Sequence, residues 1–352
     1  MKAVEARGHG DFFAIDRSIW ADITKLGINA SVAYLVMARG TGRDQRTTSW
    51  STNAIEERTG ISRPRAKEAI ARLVSAGFVA VKKPGSRPSY DIGKRARTGK
   101  RSPIEAPQTD WVWLPNALVD SAAGEPAPIE LCRQSANTGA LFLLVELYHA
   151  QALQFFGGLP HRDLRQNFER HELARRGPYV VWGFHSKGLT ASSTVYGGFI
   201  STLPNHDQDA AFVQFWAALQ VLRDTGLLVF VPHVFNTGDP EGEPMHPYGW
   251  NDGQVGEPEE QAIAANAHAA ARAMLVALGK PDVGRGHMIP VLRHIANVSL
   301  IGVARLRYRP RTTATANWYD PAKWAIVAEK YAALQHQGDL NGSSKGSQGD
   351  IS

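Results

Sequence analysis

The chain has 352 residues, of which 43% are hydrophobic and 20% charged, and a formal net charge of +6. This is an ordinary soluble composition, long enough for two or three domains with cores of their own. A single cysteine, Cys132, excludes an intramolecular disulfide framework and a cysteine-rich zinc site, and it fits a reducing, cytoplasmic setting.

The start, MKAVEARGHGDFF, is charged where a signal peptide needs an apolar run, and no apolar stretch is long enough to span a bilayer. Charge is unevenly spread. Residues 1–101 hold 20 Lys/Arg against 9 Asp/Glu, whereas the remainder holds 19 against 24. The positive field therefore belongs to the N-terminal part, as a polyanion-binding module requires.

Phe12 to Trp20 form an apolar lead-in, and Asn29 is expected to cap a helix, ASVAYLVMAR, ended by Gly40. Gly42 to Ser49 is a polar loop whose Arg43 and Arg46 either touch phosphates or are simply solvated. Trp50 is expected to pack under the helix that follows. Ser51 to Thr59 read as that helix, closed by Gly60, since glycine adopts a left-handed conformation without a Cβ clash.

Ser62 is then an N-cap with Pro64 in the first turn, opening a second helix. Ala66, Ala69, Ile70, Leu73 and Val74 form its apolar stripe, and Arg65, Glu68 and Arg72 lie opposite, flanked by Arg63 and Lys67. Gly77 ends it. Phe78 to Lys83 and Ser89 to Ile92 read as a hairpin turned by Pro84-Gly85 and carrying Lys82, Lys83 and Arg87.

Helix, glycine turn, N-capped basic helix, Leu-x-x-x-Gly-apolar and basic hairpin together resemble the winged helix-turn-helix DNA-binding family over Phe12 to Ile92, about a quarter of the chain. The resemblance implies that the second helix enters the major groove of duplex DNA. Ser62 would start it there, Arg65 and Arg72 would donate to guanine, and Glu68 would accept from cytosine or orient an arginine. Arg63, Lys67, Lys82, Lys83 and Arg87 would hold phosphate, with Arg87 able to enter the minor groove. The competing reading is a solvated basic surface helix, which explains none of the accompanying features together.

Residues 93–110, rich in Lys and Arg, read as a basic linker, either a solvated connector or an arm lying on DNA. From Trp111 a second unit echoes the first. Val112 to Val119 repeats the lead-in, Thr138 to Ala150 the helix at 30–39, and Phe212 to Phe235 the last helix and strand, with Leu219, Leu222, Gly226 and Leu227 matching Ile70, Leu73, Gly77 and Phe78. Phe212, Gln214 and Trp216 stand where Arg63, Arg65 and Lys67 stood, so this copy is expected to pack against a protein surface rather than read bases.

Phe155 to Tyr196 is left unassigned. Residues 238–260 suggest an extended wing, Gln261 to Leu278 a helix, Met288 to Ile295 and Ser299 to Tyr308 strands, and Pro321 to Leu334 a last helix. The Gly/Ser-rich end is expected to be disordered.

The expected fold class is mainly α with small antiparallel β wings (α+β), built as tandem winged-helix-like units, the second enlarged by insertions. Its domains would be 12–92 (DNA-binding), 93–110 (linker), 111–335 (second, diverged unit) and 336–352 (tail). That layout resembles bacterial plasmid and phage replication initiators as well as winged-helix transcriptional regulators. The expected function is sequence-specific duplex DNA binding, as a transcriptional regulator or alternatively a replication initiator, with a homodimer formed through the second domain and no membrane partner.

No Walker loop, no G-x-S-x-G and no zinc-protease helix is present, and no enzyme activity, cofactor or metal is expected. The minority alternative is a metal-dependent nucleic-acid enzyme using His206, Asp207, Asp209, Asp239, Glu241 and His246.

Overall fold

The computed structural model describes residues 11–93, 109–120, 125–154, 156–203, 207–237, 242–249, 256–280, 286–295, 297–309 and 317–340. The chain divides into two compact units. Unit 1 comprises residues 1–151, 193–228 and 306–316, and unit 2 comprises 152–192, 229–305 and 317–352.

Unit 1 opens with strand β1 (Phe12–Asp16), whose last residue caps helix α1 (Arg17–Lys25) by accepting the Ser18 N–H at 2.9 Å. Helix α2 (Ile28–Arg39) starts two residues before the expected Ala30, and Gly27 at φ +94°, not Asn29, stands at its N-cap. Every residue from Ala30 to Ala38 is buried, so this helix is apolar on all sides and forms the centre of the unit.

Strand β2 (Thr47–Thr48), helix α3 (Thr52–Thr59), helix α4 (Arg63–Ser75) and the hairpin β3 (Val79–Lys83) and β4 (Ser89–Ile92) follow, with strand order β2-β4-β3. Helix α4 packs on α2 and α3 through buried Ala66, Ala69, Ile70 and Leu73.

Strand β5 (Trp111–Pro115) returns antiparallel to β1, Asp16 facing Trp111 and Phe12 facing Pro115, so the two echoing lead-ins pair with each other. Helices α5 (Pro128–Gln134), α6 (Thr138–Ala150), the single turn α7 (Ser193–Tyr196) and α8 (Gln208–Asp224) complete the unit, α6 packing on α8.

Unit 2 is built on two 13-residue strands, β6 (Leu164–Arg176) and β7 (Tyr179–Ala191), joined through Gly177-Pro178. They sit inside a six-stranded sheet of order β10-β7-β6-β11-β8-β9, with β8 (Leu228–Phe235), β9 (Pro244–Pro247), β10 (His287–Leu292) and β11 (Ser299–Leu306). Helices α9 (Pro258–Val276) and α10 (Pro321–Leu340) pack on each other, and their Ile263, Ala267, Trp324 and Tyr331 meet Phe184 and Ile289 of the sheet in one core.

The expected fold class is therefore corrected. The protein is a mixed structure, 46% helix and 27% strand, whose large antiparallel sheet curls into a half-barrel, and it is not mainly α with small wings. The physical reason lies in 164–191. Strand β6 runs through Arg165-Gln166-Asn167 and Glu169-Arg170-His171-Glu172, so polar residues fall on both of its faces and no two-residue apolar period marks it.

The second echo holds locally, since α8 is followed by Gly226 at φ +68° as α4 is by Gly77 at φ +80°. However, the next strand, β8, enters the six-stranded sheet instead of a wing, so no tandem second winged-helix-like unit forms. The extended wing expected over 238–260 is replaced, in its described part, by β9 pairing with β8 and by the start of α9. The linker segment 94–108 and the tail from 341 lie outside the described residues, and residues 336–340 continue α10.

Candidate nucleic-acid interface

The helix-turn-helix region is held by a clamp of four side chains. Gly40 lets Trp50 come so close that a Cβ there would overlap its ring. The Arg58 guanidinium of α3 stacks 3.9 Å from the ring centre of Trp50, and Arg39 of α2 approaches at 5.6 Å. Asp120 takes Arg39 at 2.7 Å and Arg58 at 3.6 Å, tying α2 to α3. The expectation that Trp50 packs under α3 named one member of this clamp. Arg39, Arg58 and Asp120 were missed, because the Asp120 that joins them lies 81 residues from Arg39 in sequence.

Gly60 closes α3 at φ +63°, a left-handed conformation that selects glycine. Ser62 stands at the N-cap of α4, but its hydroxyl makes no capping bond, contrary to the expected cap; its carbonyl accepts the Ala66 N–H at 2.9 Å. Pro64 removes one of the first-turn donors of α4, and no side chain caps the others.

All nine expected contact residues are exposed: Ser62, Arg63, Arg65, Lys67, Glu68 and Arg72 on and before α4, and Lys82, Lys83 and Arg87 on the hairpin. They are not equally available. Arg63 pairs with Glu56 at 2.6 Å, and Arg72 pairs with Glu68 at 2.7 Å and reaches the Leu26 carbonyl at 3.4 Å. Exposed pairs of this kind contribute about 0–1 kcal/mol and exchange readily for a phosphate or a base. The side chains of Arg65, Lys67, Lys83 and Arg87 make no hydrogen bond or ion pair among the described residues.

Arg65, Glu68 and Arg72 line one open cleft of about 220 Å³ whose other wall is Leu26 to Ala30, the start of α2. Across the sheet, burial alone would raise the Asp44 pKa, but bonds from Thr47 and Arg46 and the charge of Lys82 outweigh it and lower it.

Among the described residues, Asp207 and His246 of the alternative metal set serve other roles. Asp207 is the N-cap of α8, accepting the Asp209 and Ala210 N–H groups at 3.0 and 3.1 Å. His246 is buried, donating from Nδ1 to the Pro247 carbonyl and accepting at Nε2 from the Tyr331 hydroxyl. His206, Asp239 and Glu241 lie outside the described residues. No group of three or more His, Cys, Asp or Glu among the described residues is placed to hold a metal.

Cys132 is fully buried, which pushes its thiol up to about 12 and leaves it unreactive. Comparison with protein-family models, with curated proteins and with solved structures finds no match. No described helix is long and apolar enough to cross a membrane.

Proposed function

We propose that the protein binds duplex DNA sequence-specifically through α4 and the β3–β4 hairpin, in the manner of a winged helix-turn-helix regulator of transcription. The observation carrying this reading is the exposed cationic face of α4, with Arg65, Glu68 and Arg72 on one side and four buried apolar residues on the other. The helix-turn-helix order, the β2-β4-β3 sheet and the excess of positive charge over residues 1–101 support it.

Arg65, which has no pairing carboxylate, is the principal base reader, donating to guanine O6 and N7. Arg72 reads a base only by leaving Glu68, which then accepts from cytosine N4. Arg63, Lys67, Lys82, Lys83 and Arg87 neutralise phosphates.

Arg65→Ala is expected to cost about 1–3 kcal/mol on the selected site and little on random DNA. Lys82→Ala is expected to weaken both alike and to reduce the salt slope by about 1. Gel-shift titration at several salt concentrations reads both effects, and equal affinity of both variants with the unmodified protein would refute the assignment. Recovered genomic sites at promoters support the regulator; iterated repeats at an origin would instead make the protein a replication initiator.

A further inference from the structure

We propose that α8 is the seat of a symmetric homodimer, in which two copies of the chain pack their α8 helices antiparallel about a two-fold axis at Trp216. The proposal goes beyond the DNA-binding reading and does not rest on it.

Helix α8 buries Ala211, Phe215, Ala218, Leu219 and Leu222 within its own unit. Its opposite side carries Phe212 and Val213 among exposed Gln208, Asp209, Gln214, Gln220, Arg223 and Asp224, an apolar patch set in a polar rim. Phe212 is 44% and Val213 66% exposed. Phe212 meets the Tyr196 ring edge-on at 5.5 Å and the Trp216 ring at 5.8 Å, so the face is a joined aromatic patch and not one stray side chain.

The charges on this face indicate the occupant. Asp209, Val213, Trp216, Gln220 and Arg223 recur at helical spacing along one stripe, with the acid at its start and the base at its end. Asp209 and Arg223 each lie seven residues from Trp216. A second α8 laid antiparallel about that point therefore sets Asp209 against the second copy's Arg223, and symmetry repeats the pair. Trp216 then faces its own counterpart and Phe212 faces Gln220, which already lies beside Arg223 at 3.4 Å. The opposed helix dipoles favour the same direction. A parallel arrangement would set like charges together.

The test is sedimentation velocity of the full chain over a range of concentrations, with Asp209→Lys, Arg223→Glu and the double exchange, each checked for folding by circular dichroism. The unmodified chain is expected to show a monomer–dimer equilibrium, each single reversal to weaken it about tenfold or more, and the double exchange to restore it.

A second measurement uses Trp216→Cys, which should form a disulfide-linked dimer on mild oxidation, Cys132 being buried. A monomeric unmodified chain, a dimer that neither reversal touches, a double exchange that restores nothing, or absence of the cross-link would each overturn the proposal. The DNA-contact variant Arg65→Ala should leave association unchanged, so the two readings fail separately.

Discussion

Arg305 and Glu260, each 1% exposed, form a bidentate pair at 2.7 and 2.8 Å in unit 2. Around it the bonding continues: His233 Nε2 accepts from Arg305 at 3.0 Å while its Nδ1 donates to the Val231 carbonyl, and Glu260 also accepts the Glu257 N–H, capping α9. Such a pair adds little net stability when intact, but losing one partner strands the other charge in a low dielectric. Glu260→Ala should therefore destabilise unit 2 by about 3–5 kcal/mol, read as a lowered urea midpoint.

Gly158 is a second such point. A Cβ there would lie 2.3 Å from the Ala304 carbonyl oxygen, a backbone atom that cannot swing aside, and the Leu159 N–H already donates to that oxygen at 2.8 Å. Gly158→Ala should cost about 1–3 kcal/mol on the same assay.

At the scale of elements, local signals and long-range pairings divide cleanly. The limits of α3 and α4 follow from Gly60, Pro64 and the apolar spacing, all local, and they were legible. The hairpin β6–β7 had one plain signal, Gly177-Pro178 between two extended runs, and composition hid it. The clamp under α3 showed only Trp50, because Arg39 and Asp120, 81 residues apart, are brought together only in the fold.

Gly40→Ala tests that clamp. It should displace Trp50, lower thermal stability and weaken DNA binding on all sequences alike, since it misplaces α3 without removing a contact. A variant as stable as the unmodified protein would show the clamp to be unimportant.

At the scale of the whole chain, buried histidines separate the two units. His246 is held down to about 4 and His287 to about 3, in both cases first by burial, and His233 lies well below its ordinary value of 6.5, through burial and then the Arg305 charge. All three belong to unit 2. Each stays neutral in the folded chain while its unfolded counterpart takes up a proton below pH 6.5.

Their contribution is thus complete above pH 6.5 and is lost as pH falls toward 4 and below, by up to about 1.4 kcal/mol per pH unit for each histidine. Fluorescence of a reporter in unit 2, such as Trp324, should show acid unfolding at a higher pH than one in unit 1, such as Trp20. Simultaneous loss of both signals would refute that separation.

From the sequence alone came the places of α2, α3, α4, α6, α8, α9 and α10, though not of α1, α5 and α7, with the basic N-terminal field and the candidate contact residues, because glycine conformation, proline geometry, apolar period and charge are properties of neighbouring residues. The pairing of β1 with β5, the six-stranded sheet and the burial of Arg305 against Glu260 were decided by the tertiary structure. Each joins residues dozens of positions apart, and no local preference records which distant strand or charge will complete it.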